Sequence, residues 1–215
     1  DADLIRVPYD TNLPFASKTY LHHDLIVKPG DHVEADQHMA ESNFTRNGTF
    51  ALGRNMKVGY VSYYGMNSND AVVISEGAAE KLTSDHMYKE ILDVDRDTSL
   101  GRELHKQYFG VKYTQGQYRK LEANGVVSKG MKVMPHDILI AGITRSKMSA
   151  SDMMLGNLKK ALVHPYRELV RAWEHDFEGE VIDVHTTDRR VVVTVKTQEP
   201  MRVGDKLSGR HGNKG

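Results

Sequence analysis

The sequence predicts a mainly β protein with short helices, in the α+β class. Short runs of Val, Ile, Leu and Tyr recur along the chain, and Gly, Pro and polar turn residues separate them. The stretches with helix signals are short and do not alternate regularly with the strands. We therefore expect strands that pair over long distances, as in barrels, rather than βαβ units.

The first 75 residues hold a small β unit and then a β-rich stretch. The apolar run at 25–27 precedes Pro29 and Gly30, which mark a turn. Val and Tyr residues predict strands at 56–64 and 71–74, because such side chains suit a pleated, half-buried surface. The polar residues between these two runs are expected to form the turn that joins them.

A short helix and several small elements follow. Ser75 is a suitable N-cap and Glu76 suits a first helical turn, so we expect a helix to about Leu82. The remaining elements are predicted from short apolar or helical runs: strands at 91–94, 126–127, 131–133 and 138–140, a helix at 115–123, and a hairpin of 179–184 with 191–196 around 186–190.

One large side chain and one polar stretch add two further expectations. Trp173 is the single tryptophan and is expected in the core. Residues 144–160 are rich in Ser, Met and Lys without a clear period, and they are expected to form a mobile connector. Its methionines Met148, Met153 and Met154 are interpreted as packing or connector residues rather than as a cofactor site.

Composition excludes several classes of protein. The chain has 215 residues with 29 basic and 29 acidic side chains, so a nucleic-acid signal must be local. It has no cysteine, which excludes disulfides and cysteine-ligated zinc. No apolar stretch reaches the roughly 20 residues of a membrane span, and no signal-peptide pattern opens the chain. The missing initiator Met and the motif at the last residue lead us to expect a processed, split or excised piece of a larger protein.

The last residues carry the most informative pattern. Four cations recur at every fourth position: Arg202, Lys206, Arg210 and Lys214. Four glycines in the same stretch oppose a helix, at roughly 1 kcal/mol each, and favour a glycine-jointed loop or strand pair. Such a backbone can approach a ligand closely while the cations converge on it, so phosphate is the expected ligand class.

Each of these cations also has a plainer interpretation. Lys206 and Lys214 suit single phosphate oxygens, but a solvated Gly/Lys tail explains them equally well. Arg210 beside His211 could clamp a phosphate, or it could hold the loop against an acidic strand, and the second role is preferred.

Other polar residues give weaker signals. A carboxylate at Asn69-Asp70 can meet a metal-bound phosphate or orient a lysine, although on sequence alone an Asx turn is preferred. His22, His23 and His38 lack the spacing of metal ligands, so we assign no metal to this chain. No paired carboxylates, nucleophile elbow or P-loop occurs, and we expect no complete catalytic machinery.

Four ordered motifs resemble one protein family. Residues 204–215 (GDKLSGRHGNKG) are similar to the GDK…GRHGNKG signature of the beta subunit of multisubunit DNA-directed RNA polymerase. Three further segments resemble the same subunit in the same order: 51–58 (ALGRNMKV) leading into 65–76 (GMNSNDAVVISE), 96–101 (RDTSLG), and 125–127 (GVV) with 137–144 (DILIAGIT). Residues 27–33 (VKPGDHV) resemble its upstream turn, so the resemblance covers most of the chain from about residue 25.

The resemblance implies a fold and a set of parts. It implies a double-psi β-barrel region, hybrid or wall-type β elements and a short flap hairpin. The implied division is 1–50, N-terminal β elements; 51–100, first part of the barrel; 101–178, mixed connector and small β elements; 179–200, wall or flap hairpin; and 201–215, start of the second barrel part with the basic motif.

The resemblance also implies a function. The chain would be part of a DNA-directed RNA polymerase, a nucleotidyltransferase active only as a multisubunit complex. Lys206 and Lys214 would be its catalytic residues, touching the RNA 3′ end and the phosphates of the incoming nucleotide, because fixed cations stabilise charge that builds up on phosphate oxygens. The implied substrate or nucleic-acid-binding residues are Asp70, Asn69, Arg210, His211 and Arg54.

The implied cofactor and partners lie mostly outside this chain. Mg²⁺ would be held mainly by a beta-prime-type subunit, with Asp70 near the second metal ion and the triphosphate. The other implied partners are the remaining beta-subunit fragment, the DNA template, the RNA transcript and NTP, with no membrane. The expected location is the cytoplasm, or the host cytoplasm or virion if a phage encodes the chain.

Two departures from the family pattern affect this interpretation. Asn69 stands where the family normally has Glu, which weakens any role of this loop in tuning the second metal ion. The hairpin around 186–190 is very short, so we expect no ordinary flap-tip interaction, and the divergence hints at a phage-encoded polymerase with split subunits.

Two other functions stay open. The chain could be a non-catalytic nucleic-acid-binding module on a related β-barrel, which would bind RNA with strong salt dependence and without a beta-prime-like partner. A stand-alone histidine-metal hydrolase is the third interpretation, and the histidine spacing gives it little support.

Overall fold

The computed structural model describes residues 4–146 and 165–215 and is mainly β in these ranges. The strands run in chain order: β1 (Leu13–Ala16), β2 (Thr19–Leu21), β3 (His23–Leu25), β4 (Ala40–Ser42), β5 (Thr45–Arg46), β6 (Thr49–Phe50), β7 (Ser84–Asp93), β8 (Thr98–Leu100), β9 (Lys132–Val133), β10 (Ile138–Arg145), β11 (Tyr166–Ala172), β12 (Gly179–Thr186) and β13 (Arg190–Glu199). The helices are α1 (Glu76–Lys81), α2 (Arg102–Phe109) and α3 (Gln115–Arg119), with a 3-10 turn at Gly110–Lys112. The predicted fold class, mainly β with short helices, is confirmed.

The strands form small sheets, and the chain divides into two units. The pairs β1–β2, β3–β4 and β5–β6 are separate two-stranded sheets, while the larger sheets have the orders β11-β10-β8 and β7-β13-β12-β9. One unit comprises residues 1–86 and 198–215, and the other comprises residues 87–197. We call them the first and the second unit.

The second unit contains the main hydrophobic core. In β10, Ile138, Leu139 and Ile140 are all fully buried, because neighbouring strands and other residues cover both faces of this strand. Trp173 is also fully buried, and its Nε1 donates to the Phe177 carbonyl at 2.7 Å. The expectation that Trp173 lies in the core is therefore confirmed.

A titratable cluster is buried with this core, around His105 of α2. Its side chain is fully buried, with Nδ1 2.9 Å from the Tyr118 hydroxyl and Nε2 3.3 Å from a Glu168 carboxylate oxygen. The other Glu168 oxygen accepts from Lys112 at 2.6 Å. Burial lowers the pKa of His105, and the charge of Glu168 opposes that shift without cancelling it. A neutral ring with its hydrogen on Nε2 leaves Nδ1 free to accept from the Tyr118 hydroxyl.

Two helices, α1 and α3, begin at residues whose side chains cap them. Ser75 caps α1 and its side chain accepts from the Ala78 amide, which confirms the predicted helix start. Thr114 and Gln117 form a capping box at the start of α3, which ends at Arg119 rather than near residue 123.

Helix α2 was not predicted. Its apolar and aromatic residues recur four apart, in the pairs Leu104 with Tyr108 and His105 with Phe109. That spacing places each pair on one helical face and could have revealed the helix. Strand β11 was missed as well, because Arg167, Glu168 and Arg171 give it a polar composition.

The predicted hairpin is confirmed. Strands β12 and β13 pair antiparallel, and the Thr187 amide donates to the Arg190 carbonyl at 2.8 Å to close the turn. The turn at Pro29-Gly30 is also confirmed, since the Asp31 amide donates to the Lys28 carbonyl at 3.1 Å and Gly30 has φ +95°.

The strands predicted at 56–64 and 71–74 are wrong. Both segments lack strand hydrogen bonds, and the side chains of Tyr60 and Tyr64 are 98% and 87% exposed. Their composition supplies β-propensity, but a strand also needs a partner edge, and none lies beside them in the part of the chain that the structure describes.

The predicted connector at 144–160 is partly corrected. Thr144 and Arg145 belong to β10 and pair with β11. Residues 147–160, with Met148, Met153 and Met154, lie outside the described residues.

Candidate functional site

The basic motif forms a tight ribbon at the end of the first unit. Leu207 and Gly215 exchange two backbone hydrogen bonds, at 2.9 and 3.0 Å, and Ser208 pairs antiparallel with Lys214. The Gly209 amide donates to the Asn213 carbonyl at 2.9 Å. The segment therefore forms the predicted glycine-jointed loop or strand pair, with one isolated antiparallel bridge.

The register of the ribbon relates the two predicted catalytic lysines. Side chains alternate along an extended chain, so Lys206 shares the face of Ser208, two residues later. Ser208 lies opposite Lys214, and directly opposite residues of an antiparallel pair share a face. Lys206 and Lys214 are thus diagonal neighbours on one face, a relation that spans roughly 7–8 Å between such positions.

The charge of this face is not neutralised by a carboxylate of residues 4–146 or 165–215. Lys206 and Lys214 are both exposed, and neither forms an ion pair with a carboxylate of the described residues. Asp205 is occupied differently, because its carboxylate accepts from the Arg202 amide at 2.7 Å and fixes the turn that leads into the ribbon. The face therefore presents two ammonium groups to whatever lies in front of it.

Two glycines permit the close packing of this motif. A Cβ added at Gly209 would collide with the side-chain amide of Asn213, and one added at Gly215 would collide with the carbonyl oxygen of Asp70. The end of the ribbon therefore lies directly against the loop that holds Asp70. In this way the structure brings together two segments that the sequence separates by more than a hundred residues.

The loop that carries Asn69 and Asp70 consists of two tight turns. Asn69 and Asp70 both have positive φ, at +54° and +64°, and the Ala71 amide donates to the Ser68 carbonyl at 3.2 Å. These features define a type I′ turn, which Asn and Asp tolerate better than most residues. The preceding turn centres on Tyr64 and Gly65, which also have positive φ.

One residue of this loop was missed as a positioning group. The side chain of Asn67 accepts from the Tyr63 amide at 3.0 Å and donates to the Val61 carbonyl at 2.6 Å, so it joins the loop to the segment before it. An Asn in a polar loop is the sequence signal for such a contact. By contrast, Asp70 has no hydrogen bond or ion pair from its carboxylate to another described residue, so the expected Asx turn is not what this residue forms.

Of the other predicted binding residues, two belong to the ribbon and one lies outside it. Arg210 and His211 occupy the corner of the ribbon, where the Gly212 amide donates to the Gly209 carbonyl at 3.1 Å. Arg210 has no carboxylate partner among the described residues, so no acidic strand holds the loop through it. Arg54 lies on an exposed segment, and the described residues show no hydrogen bond from it to the ribbon.

The described residues do not fit a resident magnesium ion. Mg²⁺ prefers octahedral oxygen ligands, usually one or two carboxylates with phosphate oxygens and waters. Asp70 supplies one exposed carboxylate, and the Asp205 carboxylate accepts from the Arg202 amide. Among residues 4–146 and 165–215, no group of three or more His, Asp or Glu side chains could hold a metal ion. The same ranges contain no helix long and apolar enough to cross a membrane.

Comparison with known families decides where the chain belongs. The family model described as RNA polymerase Rpb2, domain 6, matches residues 10–215. The chain belongs to the RNA polymerase Rpb2 domain 6 family.

Curated relatives agree with this family. The chain is 34% identical to the DNA-directed RNA polymerase subunit beta of Treponema denticola and 31% identical to that of Leifsonia xyli subsp. xyli, each over 215 residues. It is 32% identical to the subunit beta of Dehalococcoides mccartyi. These alignments cover 92% of this chain and 17–18% of the relatives, so the chain spans less than a fifth of their length. These relatives are bacterial, and a phage origin stays a prediction.

Proposed function

We propose that the chain is part of the beta-type subunit of a DNA-directed RNA polymerase and acts in template-directed RNA synthesis. Its family and its relatives, which are named as polymerase beta subunits, support this proposal. The proposed partners are a beta-prime-type subunit, the remaining part of a beta subunit, the DNA template, the RNA transcript and NTP. The proposed location is the cytoplasm.

Within that assembly, Lys206 and Lys214 bind the RNA 3′ end and the phosphates of the incoming nucleotide. The observation that supports this assignment is the ribbon register, which gives the two lysines one exposed face without an ion-paired carboxylate from the part of the chain that the structure describes. Phosphoryl transfer spreads negative charge over phosphate oxygens, and cations that are already in place stabilise it without reorganisation.

Neighbouring residues extend the proposed phosphate surface. Arg210 and His211, at the ribbon corner, and Asn69 and Asp70, in the adjacent turn, are proposed to contact substrate or nucleic acid. Gly215 supports this grouping because its backbone lies against Asp70. Arg54 is included only through the motif resemblance.

The metal ion is proposed to come with the partner subunit. Among the described residues, no group of three or more side chains could hold a metal ion, which supports an ion held mainly by the partner subunit. What this chain contributes is fixed positive charge and a backbone that a nucleotide can approach.

The finer fold is also a proposal: a double-psi β-barrel completed in the assembled polymerase. Exposed apolar side chains of the segment 56–64, among them Tyr60 and Val58 at 98% and 72% exposure, support it. Contiguous exposed apolar surface usually marks a protein interface.

The test compares Lys206→Ala and Lys214→Ala in the assembled polymerase. We expect each change to slow single-nucleotide addition by about 100-fold or more, the usual effect of removing one group that stabilises transition-state charge. Lys81→Ala is the matched control, because Lys81 is an exposed lysine of the same unit at the end of α1. Assembly is checked by size-exclusion chromatography.

The outcomes separate the candidate functions. Wild-type rates of nucleotide addition in both lysine variants would show that Lys206 and Lys214 do not have the proposed catalytic role. RNA binding by the chain that needs no beta-prime-type partner, together with a polymerase whose rate ignores both lysines, would favour the non-catalytic binding module.

A further inference from the structure

The second unit has a cleft between two helices that the proposed function does not use. Its volume is about 220 Å³, and six side chains line it: Arg102, Glu103 and Lys106 from α2, and Gln115, Tyr118 and Arg119 from α3. Three cations face one carboxylate, which gives the lining a net charge of +2.

Two of these cations are available to a ligand. Arg102 is held by Glu103, at 3.0 Å, and by the Leu121 carbonyl, also at 3.0 Å. Lys106 and Arg119 form no ion pair with a carboxylate of the described residues. Lys112, a few residues further on, shows the contrast, because it is paired with Glu168 at 2.6 Å.

The cleft is held in shape by its two helices. Lys106 lies four residues after Arg102 on α2, so both side chains occupy one helical face. Helix α3 is fixed at its start by the Thr114 capping box, and the Gln117 side chain donates to the His136 carbonyl at 2.9 Å. The backbone positions of Lys106 and Arg119 are therefore set before a ligand binds.

We propose that this cleft binds phosphate groups of a nucleic-acid strand, through Lys106 and Arg119. Phosphate suits a lining in which an ammonium and a guanidinium are both unpaired. Lys106 and Arg119 are both exposed, so the phosphates of a long strand that lies across the surface can reach them.

The strand is held by its backbone and not by its bases. Tyr118 is the one aromatic residue of the lining, and it is 4% exposed with its hydroxyl on His105. Its ring is therefore not exposed for a nucleic-acid base to stack on. Such stacking is the usual contact in proteins that bind single strands without sequence preference. Binding at this cleft is expected to be independent of sequence and strongly dependent on salt.

This site goes beyond the proposed function, because it lies in the second unit and involves neither Lys206 nor Lys214. Its test uses the whole chain and a fluorescent single-stranded RNA of roughly 12 nucleotides, a length within the range of known single-strand sites. Binding is followed by anisotropy between about 50 and 200 mM KCl.

The variant is Lys106→Gln with Arg119→Gln. Each lost phosphate contact is expected to reduce the slope of log K against log salt by about 0.7, which is about 5-fold in affinity at 0.1 M salt. The double variant should therefore bind about 25-fold more weakly at 0.1 M salt. The control is Lys129→Gln with Arg167→Gln, which removes the same charges from exposed positions outside the lining.

Each possible result either supports or overturns the proposed phosphate site. A smaller slope in the cleft variant with a wild-type slope in the control supports the site. An equal loss in both double variants, an unchanged slope in the cleft variant, or no RNA binding by the wild-type chain overturns it. Displacement of RNA by tripolyphosphate at a concentration equal to that of the RNA phosphates would show a small-ligand site and also overturns it. Circular dichroism checks that all variants fold, and the Lys206 and Lys214 variants separate a failure here from a failure of the proposed function.

Discussion

Lowering the pH is expected to destabilise the second unit through one buried side chain, His105. Burial lowers its pKa from the ordinary 6.5 in the folded state. As the pH falls through 6.5, the unfolded chain binds a proton at this ring before the folded chain does. The full stability contribution is therefore present above 6.5 and is lost as the pH falls from there toward the folded pKa.

The magnitude follows from the difference of one proton. We consider a ring that stays neutral in the fold and titrates at its ordinary pKa when unfolded. Between a pH of about 7.5 and about 5.5, the free energy of unfolding then falls by up to about 1.4 kcal/mol. Glu168, whose pKa the neighbouring Lys112 and Tyr113 lower despite its burial, adds its own loss only as the pH falls below 4.5. The loss from His105 therefore begins at a higher pH than the loss from Glu168.

The chain offers a convenient probe for this experiment. Trp173 is the single tryptophan and is fully buried in the same unit, so its fluorescence reports the unfolding of that unit in urea. We expect His105→Gln to lose most of the pH dependence between about 7.5 and 5.5, while the exposed His185→Gln keeps it. An identical pH slope in wild type and His105→Gln would show that His105 does not control acid stability.

Two further predictions concern packing. Trp173→Phe removes the hydrogen bond from Nε1 to the Phe177 carbonyl and leaves that acceptor without its donor; we expect a loss of about 1–3 kcal/mol in urea unfolding followed by circular dichroism, and no loss would contradict the packing described. Gly209→Ala should displace the Asn213 side chain and speed hydrogen exchange at the ribbon amides, while the stability reported by Trp173 changes by less than about 0.5 kcal/mol; unchanged exchange would show that the ribbon has room for a Cβ.

Local signals in the sequence predicted several elements correctly. Ser75 begins α1, Pro29 and Gly30 form a turn, and the Val- and Ile-rich runs 179–184 and 191–196 form a hairpin. In each case the determining interaction is between residues close in sequence, so the pattern itself contains the cause. The family resemblance of residues 204–215 is also confirmed. A motif is a run of residue types, so it can be recognised without knowing which residues lie near it in the fold.

Predictions that depended on distant partners did less well. The segments 56–64 and 71–74 have strand composition but no strand beside them among the described residues. The four-residue spacing of helix α2 is a local signal, but the burial of His105 on that helix depends on its contacts with Tyr118 and Glu168. Propensity cannot supply these contacts, since they join residues far apart in the chain.

The sequence by itself determined the mainly β class, the family, and which lysines, glycines and carboxylates merit attention. Only the tertiary structure decided that Gly215 lies against Asp70 and that Ser208 pairs with Lys214, which gives Lys206 and Lys214 a common face. The physical reason is that residue type fixes charge and backbone freedom locally, whereas a shared face depends on strand register. The contact of Gly215 with Asp70 depends on close approach between segments far apart in the chain.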